Sequence, residues 1–154
     1  VEAEIAGTTV PNLRLESAAP DILAVDGDAL VAKQAGASAV LISTDDGSIV
    51  DFIHMWAAPI TRISLARRDG DRLSGAVGLA VGEDLTIAPA LWNGAQKLTG
   101  DADLAWTSSN PNAIEILRDG STDRRRLRAR APGKTTVTVA LGDEKTTLDV
   151  EVVP

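Results

Sequence analysis

Hydrophobic and polar residues alternate along much of the chain with a period of two. The clearest cases are Thr135–Leu141 and Thr146–Val153, where aliphatic side chains recur at every second position. Successive side chains of a β-strand point to opposite faces, so this alternation predicts strands with one buried face. Turn residues such as Gly142-Asp143 separate these short segments, and none of them has the helical period. The pattern predicts an all-β sandwich.

The second half of the chain contains a complete set of predicted strands. Ile63 and Leu65 lie on one face of the first strand, Ile60–Ala66, and turn signals predict a polar loop at Trp92–Asp103. The other predicted strands are Val77–Val81, Leu85–Ala90, Leu104–Thr107, Ile114–Leu117, Arg125–Arg130, Thr135–Leu141 and Thr146–Val153.

The first half of the chain repeats this pattern at a separation of roughly 90 to 100 residues, the size of one small sandwich domain. The matching segments are Ser17–Val25 with Ser108–Ile116, Leu30–Ala32 with Leu127–Ala129, Gly36 with Gly133, and Val40–Ile42 with Val137–Val139. We interpret the chain as two units of one kind.

The first of these units is shorter than the second. Val1–Ile5 alternates as a strand does and corresponds to Leu85–Ala90, so the counterparts of Ile60–Asp84 are missing. Three explanations stay open: the chain is cut from a longer array, the form is naturally short, or another chain supplies the missing strand. The chain also begins at Val1 without methionine, signal peptide or anchor, as expected of a processed product or an excised segment.

One predicted strand, Ile49–Trp56, is apolar on both faces, with Ile53 on one side and Phe52 and Trp56 on the other. Such a strand is usually covered on both sides, and we expect the cover to be the neighbouring domain, another subunit or a partner. The link to the second unit is short and ends in Pro59, so we expect Phe52 and Trp56 to pack against that unit and form a stiff rod.

The stretch Leu104–Val152 contains a tryptophan strand, a Ser-Ser-Asn-Pro turn, two further strands, an Ala-Pro-Gly turn and a closing hairpin. This order resembles the second half of a bacterial immunoglobulin-like domain of the group 2 type, found in intimin- and invasin-like surface proteins. The matching residues are Trp106, Ser108, Ser109, Asn110, Pro111, Pro132, Gly133, Val137, Val139 and Leu141. The resemblance implies tandem immunoglobulin-like β-sandwiches at 1–58 and 59–154, the first without its opening strands.

The resemblance also implies a function. The chain is expected to be a non-catalytic structural or adhesion-type module of a bacterial surface or secreted protein, acting as a stiff spacer outside the cell. Two alternatives stay open: a carbohydrate- or calcium-dependent binding module, and an accessory domain of a secreted enzyme or phage-tail protein. The expected partners are neighbouring domains of a longer chain, a protein or a surface glycan.

Composition restricts the chemistry further. The chain has 154 residues, a formal net charge of -7 and no cysteine. Without cysteine it can form neither a disulfide nor a thiolate metal site. Its acidity disfavours nucleic acids and anionic membranes as partners. No apolar run approaches the ~20 residues of a membrane span.

The single histidine, His54, is the only histidine candidate for a catalytic base or a metal ligand. No Gly-x-Ser-x-Gly segment presents a nucleophile beside it, and a histidine at a strand edge is the simpler interpretation. We therefore expect no enzymatic activity and no cofactor.

Acidic pairs make calcium the one alternative to that expectation. Calcium needs several oxygen ligands that converge on one point, whereas acidic residues are also common in ordinary turns. The pairs are Asp26/Asp28, Asp45/Asp46, Asp69/Asp71, Glu83/Asp84 and Asp101/Asp103, with Asp69/Asp71 and then Glu83/Asp84 the strongest candidates.

An arginine run at residues 124–130 stands out in this acidic chain. Three of its arginines share one face, either as a patch for an acidic partner or paired with carboxylates such as Glu115, Asp149 or Glu151. Trp92, in its predicted loop, is the candidate platform for a glycan. The candidate interaction residues are Phe52, His54, Trp56, Trp92, Arg126, Arg128 and Arg130.

Overall fold

The structure is a computed structural model that describes residues 12–118 and 124–154. The chain divides into two compact units, Val1–Pro59 and Ile60–Pro154. Every regular element in the described residues is a β-strand, which confirms the predicted all-β fold. The predicted strand Val1–Ile5 lies outside the described residues.

The strands are numbered in chain order. Those of the first unit are β1 (Leu13–Ser17), β2 (Leu23–Asp26), β3 (Ala29–Ala32), β4 (Gly36–Thr44) and β5 (Ile49–Ala57). Those of the second unit are β6 (Arg62–Arg67), β7 (Ala76–Ala80), β8 (Asp84–Asn93), β9 (Gln96–Lys97), β10 (Ala105–Ser108), β11 (Ile114–Leu117), β12 (Arg125–Ala129), β13 (Gly133–Leu141) and β14 (Glu144–Val153).

The second unit is a two-layer, immunoglobulin-like sandwich. One sheet has the order β10-β13-β14-β7, and the other has the order β11-β12-β8-β6 with β9 paired to β8. The inward-facing aliphatic residues of both sheets form one buried cluster, which includes Ile87, Ile114, Leu127, Val137 and Val150. Since aromatic side chains are few, branched aliphatic residues fill this core.

Strands β7 and β14 pair in parallel, although the other strand pairs of the second unit are antiparallel wherever the structure describes them. The register places Asp149 opposite Ala76 and Val153 opposite Ala80. A further backbone bond, from Val81 N–H to the carbonyl oxygen of Val153 (3.0 Å), extends the pairing by one residue. Strands from near the beginning and the end of the unit are therefore joined side by side.

The first unit forms a three-stranded sheet, β1-β4-β5, and a two-stranded hairpin, β2-β3. Its strand order matches the order β10-β13-β14 and the pairing β11-β12 of the second unit. The buried apolar residues of its described part are few, namely Leu23, Val40 and Ile42. The core formed by the described residues of this unit is correspondingly small.

Each unit contains the same buried hydroxyl junction between a turn and the neighbouring sheet strand. In the second unit, Thr135 Oγ1 accepts a hydrogen bond from Asn110 N–H (3.0 Å) and lies 2.9 Å from Ser108 Oγ. In the first unit, Ser38 Oγ accepts from Ala19 N–H (3.1 Å). It also lies 3.0 Å from the Oγ of the serine that begins the turn. Buried polar groups need partners, and these hydroxyls give the turn amides their shorter hydrogen bonds, beside a longer one to the serine of the turn.

The matched glycines Gly36 and Gly133 begin β4 and β13 with the same φ of 154°. A Cβ at Gly36 would lie 2.8 Å from Cδ1 of Ile22, and one at Gly133 would lie 3.4 Å from Nδ2 of Asn110. Glycine is therefore favoured at both positions by its conformation, and at Gly36 a side chain would also require the end of Ile22 to move.

Candidate interaction surface

The outer face of β5 carries a row of three aromatic side chains, Phe52, His54 and Trp56, here called the aromatic row. All three are exposed, with Phe52 at 55% and Trp56 at 72% of their full accessible surface. The Phe52 and His54 rings meet edge to face at 5.2 Å, and the His54 and Trp56 rings lie 6.4 Å apart at 49°. The row therefore offers exposed aromatic surface, made of rings tilted against one another, with one imidazole at its centre.

Small side chains lie beside the aromatic row on β4. Ala37 is paired with Trp56, and Ala39 with His54. Because neither alanine reaches above the sheet, the faces of the rings are not covered from that side. The predicted packing of Phe52 and Trp56 against the second unit stays a prediction.

The corresponding face of the second unit is polar. Strand β14 occupies the position of β5, and its outward residues are Thr147, Asp149 and Glu151, all exposed. These residues make ordinary surface contacts, such as that of Thr136 Oγ1, which donates to Asp149 Oδ1 at 2.8 Å. The aromatic row is thus a property of the first unit and not of the shared architecture.

Trp92 lies within β8, so its predicted position in a loop is wrong. It pairs with Arg62 on β6 and with Lys97 on β9. The Arg62 guanidinium lies 4.5 Å from the ring centroid, and the indole N–H donates to Ser64 Oγ at 2.8 Å. One ring face is therefore occupied by a cation–π contact, and the polar edge of the ring already has a partner.

The arginine run forms the strand β12, with Leu127 and Ala129 buried as the period of two predicts. Asp84 on β8 accepts hydrogen bonds from Arg126 (3.1 Å) and from Nε of Arg128 (3.0 Å). One carboxylate is therefore shared by two neighbouring arginines.

The third outward arginine, Arg130, donates from Nε to Glu115 Oε2 at 2.8 Å. This is one of the three acceptors expected from the sequence. Glu151 instead lies 3.6 Å from Lys134 Nζ. The arginine face is thus built into cross-strand ion pairs, which hold its side chains along the sheet.

The pKa of the Asp84 carboxyl is lowered from its ordinary value, first by the hydrogen bond from Arg128 and then by the charges of Arg128 and Arg126, while partial desolvation opposes the change. The pKa of Asp46 is also lowered, first by the hydrogen bond from the Thr44 hydroxyl and then by those from Ser48. Both carboxylates are stabilised by local donors rather than prepared for proton transfer.

The two acidic pairs that were the strongest calcium candidates each contain a carboxylate that bonds to nearby backbone. Asp69 Oδ1 accepts from Asp71 N–H (3.3 Å), and Glu83 Oε2 accepts from Ala80 N–H (2.8 Å). Residues 12–118 and 124–154 contain no cluster of three or more acidic, histidine or cysteine side chains that could hold a metal ion. In the same residues, no helix has the length and apolar character needed to cross a membrane.

No protein-family model matches the chain, and no curated protein matches it in sequence. Among solved structures, it is similar to domains 4 and 5 of the S-layer protein SbsC, with a TM-score of 0.49 and 18% identity over 92% of this chain and 70% of that one.

A longer structure, SbsC domains 4–9, has a TM-score of 0.47 and 21% identity, and the match covers 99% of this chain but only 23% of that one. A tandem of titin immunoglobulin domains has a TM-score of 0.33 and 14% identity, over 93% of this chain and 82% of that one. These are likenesses of architecture at low identity, and they do not define what this chain binds.

Proposed function

We propose that this chain is a non-catalytic, load-bearing structural and interaction module of a bacterial surface or secreted protein. In this proposal it contains two tandem immunoglobulin-like domains of the group 2 type, 1–58 and 59–154, and acts outside the cell as a stiff spacer. The repeated hydroxyl junction and the shared strand order support the tandem arrangement. The proposal includes no enzymatic activity and no cofactor.

The parallel pairing of β7 with β14 is the observation that carries the mechanical role. When residues 60 and 154 are pulled apart, the load enters through β6, which is paired with β8, and then reaches β7 at its N-terminal end and β14 at its C-terminal end. Because the two strands run in parallel, this load shears the whole ladder instead of opening one bond at a time. The force at which a domain unfolds is governed by its unfolding rate. A ladder whose bonds must break together slows unfolding, so it sets the force that the second unit withstands.

Single-molecule pulling between the two ends of the chain tests the role. Val81→Pro removes the amide that bonds to Val153, so we expect the unfolding force of the second unit to decrease. Val81→Ala keeps this amide and serves as the matched control, with a force close to that of the unchanged chain. Equal unfolding forces for the proline and alanine variants would contradict the load-bearing role of this ladder.

A second candidate function is adhesion through the aromatic row. The exposure of Phe52 and Trp56 on a face that is polar in the second unit favours it. By comparison, Trp92 is a weaker candidate for glycan binding because Arg62 occupies one face of its ring. A calcium-dependent contact has less support, since Asp69 and Asp71 bond within their own turn.

A further inference from the structure

The turn between β8 and β9 is a two-residue hairpin loop, Gly94-Ala95, in which Asn93 is paired with Gln96. Gly94 has a φ of 55°, and no described residue other than glycine has a positive φ. A two-residue loop with a positive φ at its first position only is a type II′ turn. Asn93 is therefore the last residue of a strand, and an exposed glycine follows it directly.

An asparagine followed by glycine has the groups needed to modify itself. The backbone nitrogen of the glycine attacks the side-chain carbonyl carbon of the asparagine, a C–N bond forms, and ammonia leaves. Water then opens the five-membered imide at either carbonyl and gives aspartate or isoaspartate. Glycine favours the attack because it has no Cβ beside the nitrogen. A Cβ at Gly94 would also meet no atom within 4 Å, so the space around this residue is open.

The attacking nitrogen of this pair is held by a residue just before β6. The Gly94 N–H donates to Thr61 Oγ1 at 2.9 Å. The Thr61 hydroxyl in turn donates to the carbonyl oxygen of Trp92 at 3.2 Å, and the Thr61 N–H donates to the same oxygen at 2.8 Å. The hydroxyl of Thr61 is therefore fixed on both sides, and it joins the two ends of one peptide segment around Asn93.

We propose that Asn93–Gly94 is a self-modification site of the second unit and that the Thr61 hydroxyl sets its rate. To attack, the Gly94 nitrogen must lose its proton and approach Cγ of Asn93. The hydrogen bond to Thr61 stabilises the protonated amide and holds its orientation, so it slows the attack. The proposal uses residues of the second unit only and is independent of the load-bearing role.

The modification would change the hairpin in a defined way. Isoaspartate continues the main chain through its side-chain carbon, so it adds one backbone atom between residues 93 and 94. The β8–β9 ladder has two residue pairs, Trp92 with Lys97 and Asn93 with Gln96. Because the length of the loop fixes the register of such a hairpin, we expect isoaspartate at this position to release β9 from β8.

Incubation at neutral pH, followed by peptide mass spectrometry, measures the rate of conversion at Asn93. Thr61→Val keeps the branched shape and the backbone N–H but removes the hydroxyl. We expect it to raise the rate about two- to tenfold, the factor that corresponds to one hydrogen bond. Thr61→Ser keeps the hydroxyl and is expected to restore the rate of the unchanged chain. In each chain the rate should increase with pH, because the attacking group is the deprotonated nitrogen.

Two controls separate this effect from a general loss of structure. Asn112, which precedes Ala113, should convert at the same rate in all three chains, since unfolding would accelerate both asparagines. A peptide of residues 90–98 gives the rate without Thr61. Equal rates at Asn93 in the Thr61→Val and unchanged chains would overturn the proposal. So would an equal acceleration at Asn112, or an unmodified Asn93 in Thr61→Val after a time that converts the peptide completely.

Discussion

The hydroxyl of Thr135 shows how much of the second unit depends on single polar atoms. It is buried, receives the Asn110 amide and contacts two serine hydroxyls, Ser108 at 2.9 Å and Ser109 at 3.2 Å. No buried side-chain nitrogen or oxygen in the described residues is left without a partner. The turn is therefore fixed to the sheet by a fully satisfied network.

Thr135→Val keeps the shape of this side chain and removes the hydroxyl. The Asn110 amide then keeps only its longer bond to Ser108 Oγ (3.3 Å), and the buried hydroxyl network loses its centre. We expect a loss of about 1–3 kcal/mol in the free energy of unfolding. Thr135→Ser, which keeps the hydroxyl, is expected to cost less. Chemical denaturation measures both, with Thr138→Val on the outer face of β13 as the control. A Thr135→Val variant as stable as the control would contradict the role given to the network.

Pairing between strands places groups together that are distant in the sequence. Asp84 begins β8, and Arg126 and Arg128 lie on β12, yet the register puts Arg128 directly opposite Asp84. Removal of this carboxylate leaves two neighbouring guanidinium groups without their shared counter-charge. The ion pairs of Asp84 with Arg126 and Arg128 thus contribute to the order of the sheet as well as to its surface charge.

Asp84→Asn is expected to destabilise the second unit in a pH-dependent way. The pKa of Asp84 in the folded chain lies below its ordinary value of 3.8, so the folded chain binds the proton less readily than the unfolded chain. The stabilisation of the second unit by the ionised Asp84 carboxyl is then complete above pH 3.8 and decreases as the pH falls through the lowered pKa. Thermal unfolding from pH 7 to pH 2 should show a difference between the two chains that vanishes in acid. A difference that is constant with pH would contradict this account.

The sequence predicts the positions of the strands better than it predicts which strands pair with one another. Alternation and the internal repeat locate β13 and β14, and the Gly36/Gly133 match coincides with a shared φ of 154°. Alternation is a local property, whereas the contact of Asp84 with Arg128 depends on which strands pair, which no local pattern specifies. For the same reason the turn signals after Trp92 suggested a loop, although pairing with β6 keeps this residue in a strand.

The aromatic row could be predicted only in part. The sequence identifies Phe52 and Trp56 as apolar residues on the second face of a strand. It cannot show whether that face is covered, because cover depends on the surrounding strands and not on β5 itself. The strand order supplies this information: β5 is paired on one side only within the described residues.

At the scale of the whole chain, the two units differ in the size of their cores. The buried apolar residues described in the first unit are Leu23, Val40 and Ile42, whereas the second unit has a continuous cluster from two sheets. Stability increases with the apolar area removed from water. The first unit is therefore expected to be the less stable of the two.

Differential scanning calorimetry should resolve two transitions in the full chain, with the first unit melting several degrees below the second. A fragment of residues 60–154 should fold alone and reproduce the upper transition. A single transition in the full chain, together with a fragment that fails to fold, would show instead that the units are stable only as one cooperative structure.

The parallel ladder between β7 and β14 also has a consequence for synthesis on the ribosome. Its partners, such as Val77 and Val150, lie near opposite ends of the second unit. Contacts between residues far apart in sequence form late and slow the search for the native fold. Because translation proceeds from the N-terminus, β7 emerges long before β14 exists, and its edge stays unpaired until the last strand clears the exit tunnel. Completion of this sandwich therefore waits for the synthesis of β14.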